Sequence, residues 1–285
     1  MNRFAELLDR LAYEPGRNNK LRLITNYFRT VEDPDRGYAL AALTGALSFK
    51  HAKPGLIRDL IAERTDPTLF ALSYDYVGDL SETVALMWPK NSERPLHNNP
   101  PPTLTEVVTT LRTLGKTEMP KQLSRWLDDL DETGRWALLK LVTGAMRIGI
   151  SARLAKTAAA ALGDKDAHEV ELIWPGLTPP YLDLFAWLEG RSEKPVNLDP
   201  APFRPVMLAH AIEDTDFANL NPSDYIAEWK WDGIRVQAVS GRDPEGALTT
   251  RLYSRSGEDI TGSFPDLVPS LRLPGAIDGD RKSVV

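Results

Sequence analysis

Lys230 stands in the run Glu228-Trp229-Lys230-Trp231-Asp232-Gly233-Ile234-Arg235, an amine between two indoles, followed by an Asp-Gly turn and an arginine. An ordinary lysine, with a pKa near ~10.4, is protonated at neutral pH and inert as a nucleophile. Apolar neighbours and nearby cations disfavour the ammonium, and the free amine can then attack a phosphate. Glu228 lies two residues before Lys230, so a strand would turn both to one face. Arg235 follows five residues after the lysine, and Arg255 stands in Tyr253-Ser254-Arg255; either guanidinium could hold ribose or phosphate oxygens. Asp278-Gly279-Asp280 adds carboxylates suited to a ribose hydroxyl or Mg²⁺. Taken alone, Lys-x-Asp-Gly-x-Arg also fits an exposed turn with a salt-bridged lysine.

Such groups work only if rigid elements aim them. Residues 225–229 and 235–239 alternate in the manner of strands on either side of the lysine, and 251–255 reads as a further strand. The loop 241–246, with its Gly, Asp and Pro, is of hairpin type. A short helix is expected over 264–271 and another strand from 275. Residues 1 to about 195 read instead as mostly helical. Phe4, Leu7, Leu8 and Leu11 keep helical spacing, as do Leu21, Ile24, Tyr27, Phe28 and Val31. Asp66-Pro67-Thr68 and Ser81-Glu82-Thr83 look like helix starts, and helices are expected over 123–130, 136–148, 152–162 and 182–188. Five prolines between Pro89 and Thr105 mark a loop or hinge. Pro195, Pro200, Pro202 and Pro205 mark a boundary, which divides the chain into 1–195 and 196–285.

Composition narrows the classes. With 285 residues, 42% of them hydrophobic, the chain can build two cores. It has no cysteine, which removes disulfides, thiolate metal sites and cysteine nucleophiles. Its four histidines lack ligand spacing, so no histidine-built metal site is expected. No apolar run reaches membrane length and the N-terminus has no apolar signal segment, so the expectation is a soluble, cytoplasmic monomer. The net charge of −6 hides two acid-free basic islands. One runs from Arg36 to Arg58; the other, 133–163, carries Arg135, Lys140, Arg147, Arg153 and Lys156. Such islands suit a localised anion-binding face, although solvated helix faces give the same pattern.

The residues around Lys230, with Tyr253-Ser254-Arg255 and Ala276-Ile277-Asp278-Gly279 following in order, resemble the motifs of ATP-dependent DNA ligases, within the covalent nucleotidyltransferases. Upstream, Val77-Gly78-Asp79-Leu80-Ser81-Glu82-Thr83, the run 139–151 containing Gly144-Ala145-Met146-Arg147-Ile148-Gly149, and Phe203-Arg204-Pro205-Val206-Met207 are similar to segments of the same family. The resemblance covers essentially the whole chain. It implies an α+β architecture: an all-helical DNA-binding domain over 1–195, then the first part of an antiparallel-sheet, ATP-grasp-like adenylation domain over 196–285.

The resemblance further implies that Lys230 takes AMP from ATP, with Glu228, Arg235, Arg255 and Asp280 contacting the nucleotide and Mg²⁺ assisting. Nicked duplex DNA would be the partner, and Lys140, Arg147, Gly149, Arg153 and Lys156 its contacts, through phosphates and groove shape rather than base edges. The sequence departs from the family near its end. Asp280 stands where the family usually has Glu, and the later motifs and the C-terminal oligonucleotide-binding barrel have no counterpart. A truncated ligase is the expectation. Two alternatives remain at this point: a non-catalytic remnant that binds nicked DNA, and an RNA ligase or capping-type nucleotidyltransferase.

Overall fold

A computed structural model describes residues 1–89, 101–144, 146–204, 211–226, 229, 232–255 and 257–271. The chain divides into two units, Met1–Val170 with Leu177–Pro195 and Glu171–Gly176 with Val196–Val285. The α+β class holds: helices dominate, joined by a small antiparallel sheet in the second unit.

Helices follow one another as α1 (Asn2–Tyr13), α2 (Arg17–Thr30), α3 (Asp35–Leu43), α4 (Pro54–Ala62), α5 (Pro67–Val77), α6 (Leu80–Met87), α7 (Leu104–Thr113), α8 (Met119–Asp129), α9 (Glu132–Thr143), α10 (Ala152–Leu162), α11 (Ala167–Ile173) and α12 (Leu182–Leu188). Several begin under a side-chain oxygen that takes a first-turn N–H: Asp66 that of Leu69, Asp79 that of Glu82, Thr103 that of Glu106, Asp131 that of Gly134 and Ser151 that of Leu154. The helix expected at Ser81 therefore starts one residue earlier, under Asp79. The helix expected over 136–148 stops at Thr143, because Gly144 takes φ 69° and its N–H closes onto the Lys140 carbonyl.

The core of this first unit is built from the stripes that the spacing marks. Phe4, Leu8 and Leu11 of α1, Ile24 and Phe28 of α2, and Ala137, Leu138 and Leu139 of α9 are all fully enclosed. The segment from Pro180 through α12 closes the packing at two places where only glycine leaves room. A Cβ on Gly37 of α3 would run into the Pro180 carbonyl, and one on Gly163 after α10 into the Leu188 carbonyl. Between them Arg36 is buried, bound to Asp33, to the Phe28 carbonyl and to Glu189, with its guanidinium 4.4 Å from the Phe185 ring centre.

In the second unit β1 (Val236–Arg242) pairs antiparallel with β2 (Leu248–Ser254), from Val236 opposite Ser254 to Arg242 opposite Leu248. Asp243 closes the far end, its carboxylate accepting from the Ala247 N–H at 2.7 Å. One face of the hairpin holds Ala238 and Leu252 against Val268 of α13 (Leu267–Leu271), with Ile260, Phe264 and Leu271 around them. Segment 199–204 is fastened to the hairpin. Gln237 uses its side-chain amide to accept from the Arg204 N–H (2.8 Å) and donate to the Arg204 carbonyl (2.9 Å). Tyr253 donates its hydroxyl to the Ala201 carbonyl and packs edge-on against Phe203.

The expected strand over 225–229 is not formed by its described members. Tyr225, Ile226 and Trp229 are unpaired backbone, and Ile226 and Trp229 are 90% and 87% exposed. A strand needs a partner ladder, and among the described residues none lies beside this segment. The strand expected from 275 lies outside the described residues.

Candidate functional site

The hairpin register brings two of the expected nucleotide contacts to one place. Val236 pairs with Ser254, so Arg235 just before β1 and Arg255 just after β2 flank the same open end of the ladder. Arg235 is half-buried and Arg255 exposed. Two arginines carried at one end of a ribbon can meet the same anion, and positioned cations stabilise charge on a transferring phosphate. Asp232 and Gly233, exposed, lead into the same end. Lys230, Glu228 and Asp280 lie outside the described residues. Sequence spacing gave no sign that Gln237, Phe203 and Tyr253 brace this hairpin; Phe203 and Tyr253 stood out only within the family-like runs 203–207 and 253–255.

A second arrangement follows α9 in the helical unit. Beyond Gly144 the chain turns through Arg147 (φ 49°), Ile148 and Gly149 (φ 66°) before Ser151 starts α10. Ile148 is buried and anchors the turn, while Arg147 and Gly149 are exposed. Arg153 lies exposed in the first turn of α10, and Lys156, half-buried, follows at the spacing that shares its face. A helix N-terminus offers unpaired N–H groups and a positive dipole end, so Arg147, Gly149, Arg153 and the start of α10 together make a surface suited to phosphates. From beneath, Lys20 of α2 donates its ammonium to the Ile148 carbonyl at 3.0 Å and the Gly149 carbonyl at 3.2 Å.

Lys140 is placed otherwise. Its side chain is 4% exposed, and Nζ lies 2.6 Å from the Asp79 carboxylate and 5.7 Å from the Trp136 ring centre. An ammonium enclosed and neutralised in this way cannot reach a phosphate outside, so Lys140 is separated from the four other expected DNA contacts. Burial works against the Asp79 charge, but hydrogen bonds from Lys140 and the Glu82 N–H, with the charge of Lys140, hold its carboxyl below the usual range. The signature around Asp79 is thus a structural joint: Asp79 caps α6 and neutralises α9, and Ser81 meets Thr143 at 3.3 Å beside it.

Among the described residues no group of three or more His, Asp or Glu could hold a metal ion, and no helix is long and apolar enough to cross a membrane.

Comparison with known proteins falls on the same two stretches. Residues 1–160 match the family described as DNA ligase N terminus, and residues 206–284 match the one described as ATP dependent DNA ligase domain. DNA ligase 1 of Korarchaeum cryptofilum is 27% identical over 95% of this chain and 50% of its own length. The DNA ligase of Thermoplasma volcanium is 30% identical over 70% of this chain and 35% of its own length. A probable DNA ligase of Koribacter versatilis is 33% identical over 47% of this chain and 22% of its own length. The chain spans half or less of the length of these relatives.

Proposed function

From membership of the ATP-dependent DNA ligase family, to which this chain belongs, we propose that it carries the nucleotide-accepting and nick-binding parts of a DNA-joining reaction. Lys230 is the nucleophile. Its neutral amine attacks the α-phosphate of ATP, a P–N bond forms, and the bond to pyrophosphate breaks. AMP then passes to the 5′-phosphate at a nick, and the 3′-hydroxyl displaces AMP as the strand is sealed.

The observation that carries this reading is the pairing of Val236 with Ser254, which sets Arg235 and Arg255 at one end of the ribbon, five residues of chain beyond Lys230. There they favour a neutral amine by adding positive charge and stabilise the anion that the amine attacks. Glu228 contacts the adenine side and Asp280 the ribose. Mg²⁺ would neutralise phosphate charge in such a transfer. In the helical unit Arg147, Gly149, Arg153 and Lys156 hold the phosphates of nicked duplex DNA. The chain acts as a monomer in the cytoplasm.

The test is incubation with α-labelled ATP and Mg²⁺. Covalent label on the wild-type protein, stable to alkali and released by acid as a P–N bond requires, that is lost in Lys230→Ala is the expected result. Absence of label from the wild type, or equal labelling of the variant, removes Lys230 from the role.

A further inference from the structure

We infer that Lys20 is a positioning residue for phosphate binding: its buried ammonium holds two carbonyls of the turn 147–150 inward and so turns the N–H groups of Gly149 and Ile150 outward as a phosphate cradle. This rests on the reading of that turn as a contact for nicked DNA.

Three observations converge. The first is the environment of Lys20. The residue is 9% exposed, and its hydrogen bonds go to the Ile148 and Gly149 carbonyls, 128 and 129 residues along the chain. Among the described residues no carboxylate pairs with it. The Lys20 side chain thus ends directly beneath the turn, against these two carbonyls. It lies on the inner side of the turn, opposite the exposed Arg147 and Gly149.

The second observation is the geometry of the peptide units. In a trans peptide the C=O and the following N–H point in opposite directions. With the Ile148 and Gly149 carbonyls drawn onto Lys20, the Gly149 and Ile150 N–H groups face the other way. Among the described residues neither N–H donates within the protein. Successive N–H groups around a left-handed residue form a concavity that binds anions.

The third is the backbone between Arg147 and Gly149. Both take positive φ, a region that a residue with a Cβ such as arginine enters only under strain. Such a conformation persists only when the surroundings enforce it. Ile148 below and the two bonds to Lys20 are the enforcing contacts. A Cβ on Gly149 would lie 2.5 Å from the Lys20 Nζ, so a side chain there would push the ammonium off its two carbonyls, besides being strained at this φ.

The experiment is a double-mutant cycle on DNA affinity with Lys20→Met, Arg147→Ala and the pair, using a nicked duplex at several salt concentrations. Hydrogen exchange of the 144–152 peptide and the unfolding midpoint are followed in parallel. Lys20→Met is expected to weaken binding about tenfold, to speed exchange of the peptide, and to make Arg147→Ala nearly silent in its background. A residue that merely supports the helices would instead give additive losses. If wild type binds and Arg147→Ala weakens it, but Lys20→Met leaves affinity unchanged or the losses add, the role of Lys20 is overturned alone. If the wild type does not bind nicked duplex, or Arg147→Ala has no effect, the reading of the turn falls and this role with it. Should Lys20→Met fail to fold, Lys20→Gln keeps a polar donor, and the same coupling with Arg147 decides.

Discussion

Replacing Asp79 by asparagine separates its two duties. Asparagine caps a helix as well as aspartate, so the bond to the Glu82 N–H (3.1 Å) survives. What is lost is the carboxylate 2.6 Å from Lys140. Removing one partner of a buried pair costs about 3–5 kcal/mol, because the other charge stays enclosed. The Asp79 side chain is 18% exposed and water can relieve part of the loss, so the lower end applies, about 3 kcal/mol. In a helical unit of this size each kcal/mol moves the midpoint by about 2–4 °C, giving a fall of about 6–12 °C. Asp79→Ala removes the cap too and should fall further by about 1 kcal/mol. Lys140→Met puts an apolar side chain against Trp136 and leaves a carboxylate that still touches solvent, a loss of about 1–2 kcal/mol. The double variant Asp79→Asn with Lys140→Met should return to within about 1 kcal/mol of wild type, as neutral replacements of buried pairs do. Thermal unfolding followed by helical circular dichroism measures all four. The reasoning is refuted if Asp79→Asn costs under about 1 kcal/mol, or if the double variant is as poor as the sum of the singles.

Acid should act through Glu189, whose carboxyl is held at about 2 rather than 4.5 by hydrogen bonds from Arg36, with Arg191 adding to them against the effect of burial. Between pH 4.5 and about 2 the unfolded chain binds the extra proton, so this stabilisation is complete above 4.5 and fades as pH falls through the window. Glu189→Gln should flatten that slope in urea midpoints measured from pH 2 to 6, and an unchanged slope would count against it. Arg147→Ala should lower the dependence of log affinity for nicked DNA on log salt by about 0.9, one phosphate contact, while leaving labelling by ATP intact. Gln237→Leu should cost about 2 kcal/mol, because both backbone groups of Arg204 lose their partners; protease cleavage within 199–204 would report it.

Much of the helical architecture is legible because caps and apolar spacing are local. Ser151 and Gly163 bound α10, and the alternation of Val236 to Val239 already reads as strand. The end of α9 is less so: apolar spacing continues through Met146 and Ile148, and only the left-handed φ of Gly144 stops the helix. Tyr225 and Ile226 alternate like a strand, yet pattern alone cannot supply a partner ladder. Charge is read least reliably. Lys140 and Arg153 look alike in a basic island, but Asp79, 61 residues away in the chain, takes Lys140 out of reach of any ligand. Lys20 shows the reverse. Nothing within its own helix sets it apart, and its significance comes from carbonyls 128 and 129 residues further on.

The seats of Pro180 and α12 on Gly37 and Gly163, with the Glu189 bond to Arg36, have a consequence for the order of events during synthesis. A chain emerging from the ribosome exposes α3 long before residues 180–189 exist to cover it. The N-terminal helices can form and pair early, but the buried Arg36 keeps a missing partner until almost the whole helical unit has been made. These contacts of high sequence separation make final closure a late, cooperative step. A nascent chain stalled before Pro180 would present Arg36 paired with Asp33 but lacking Glu189, beside an open seam, a form that quality-control factors can distinguish from the finished unit.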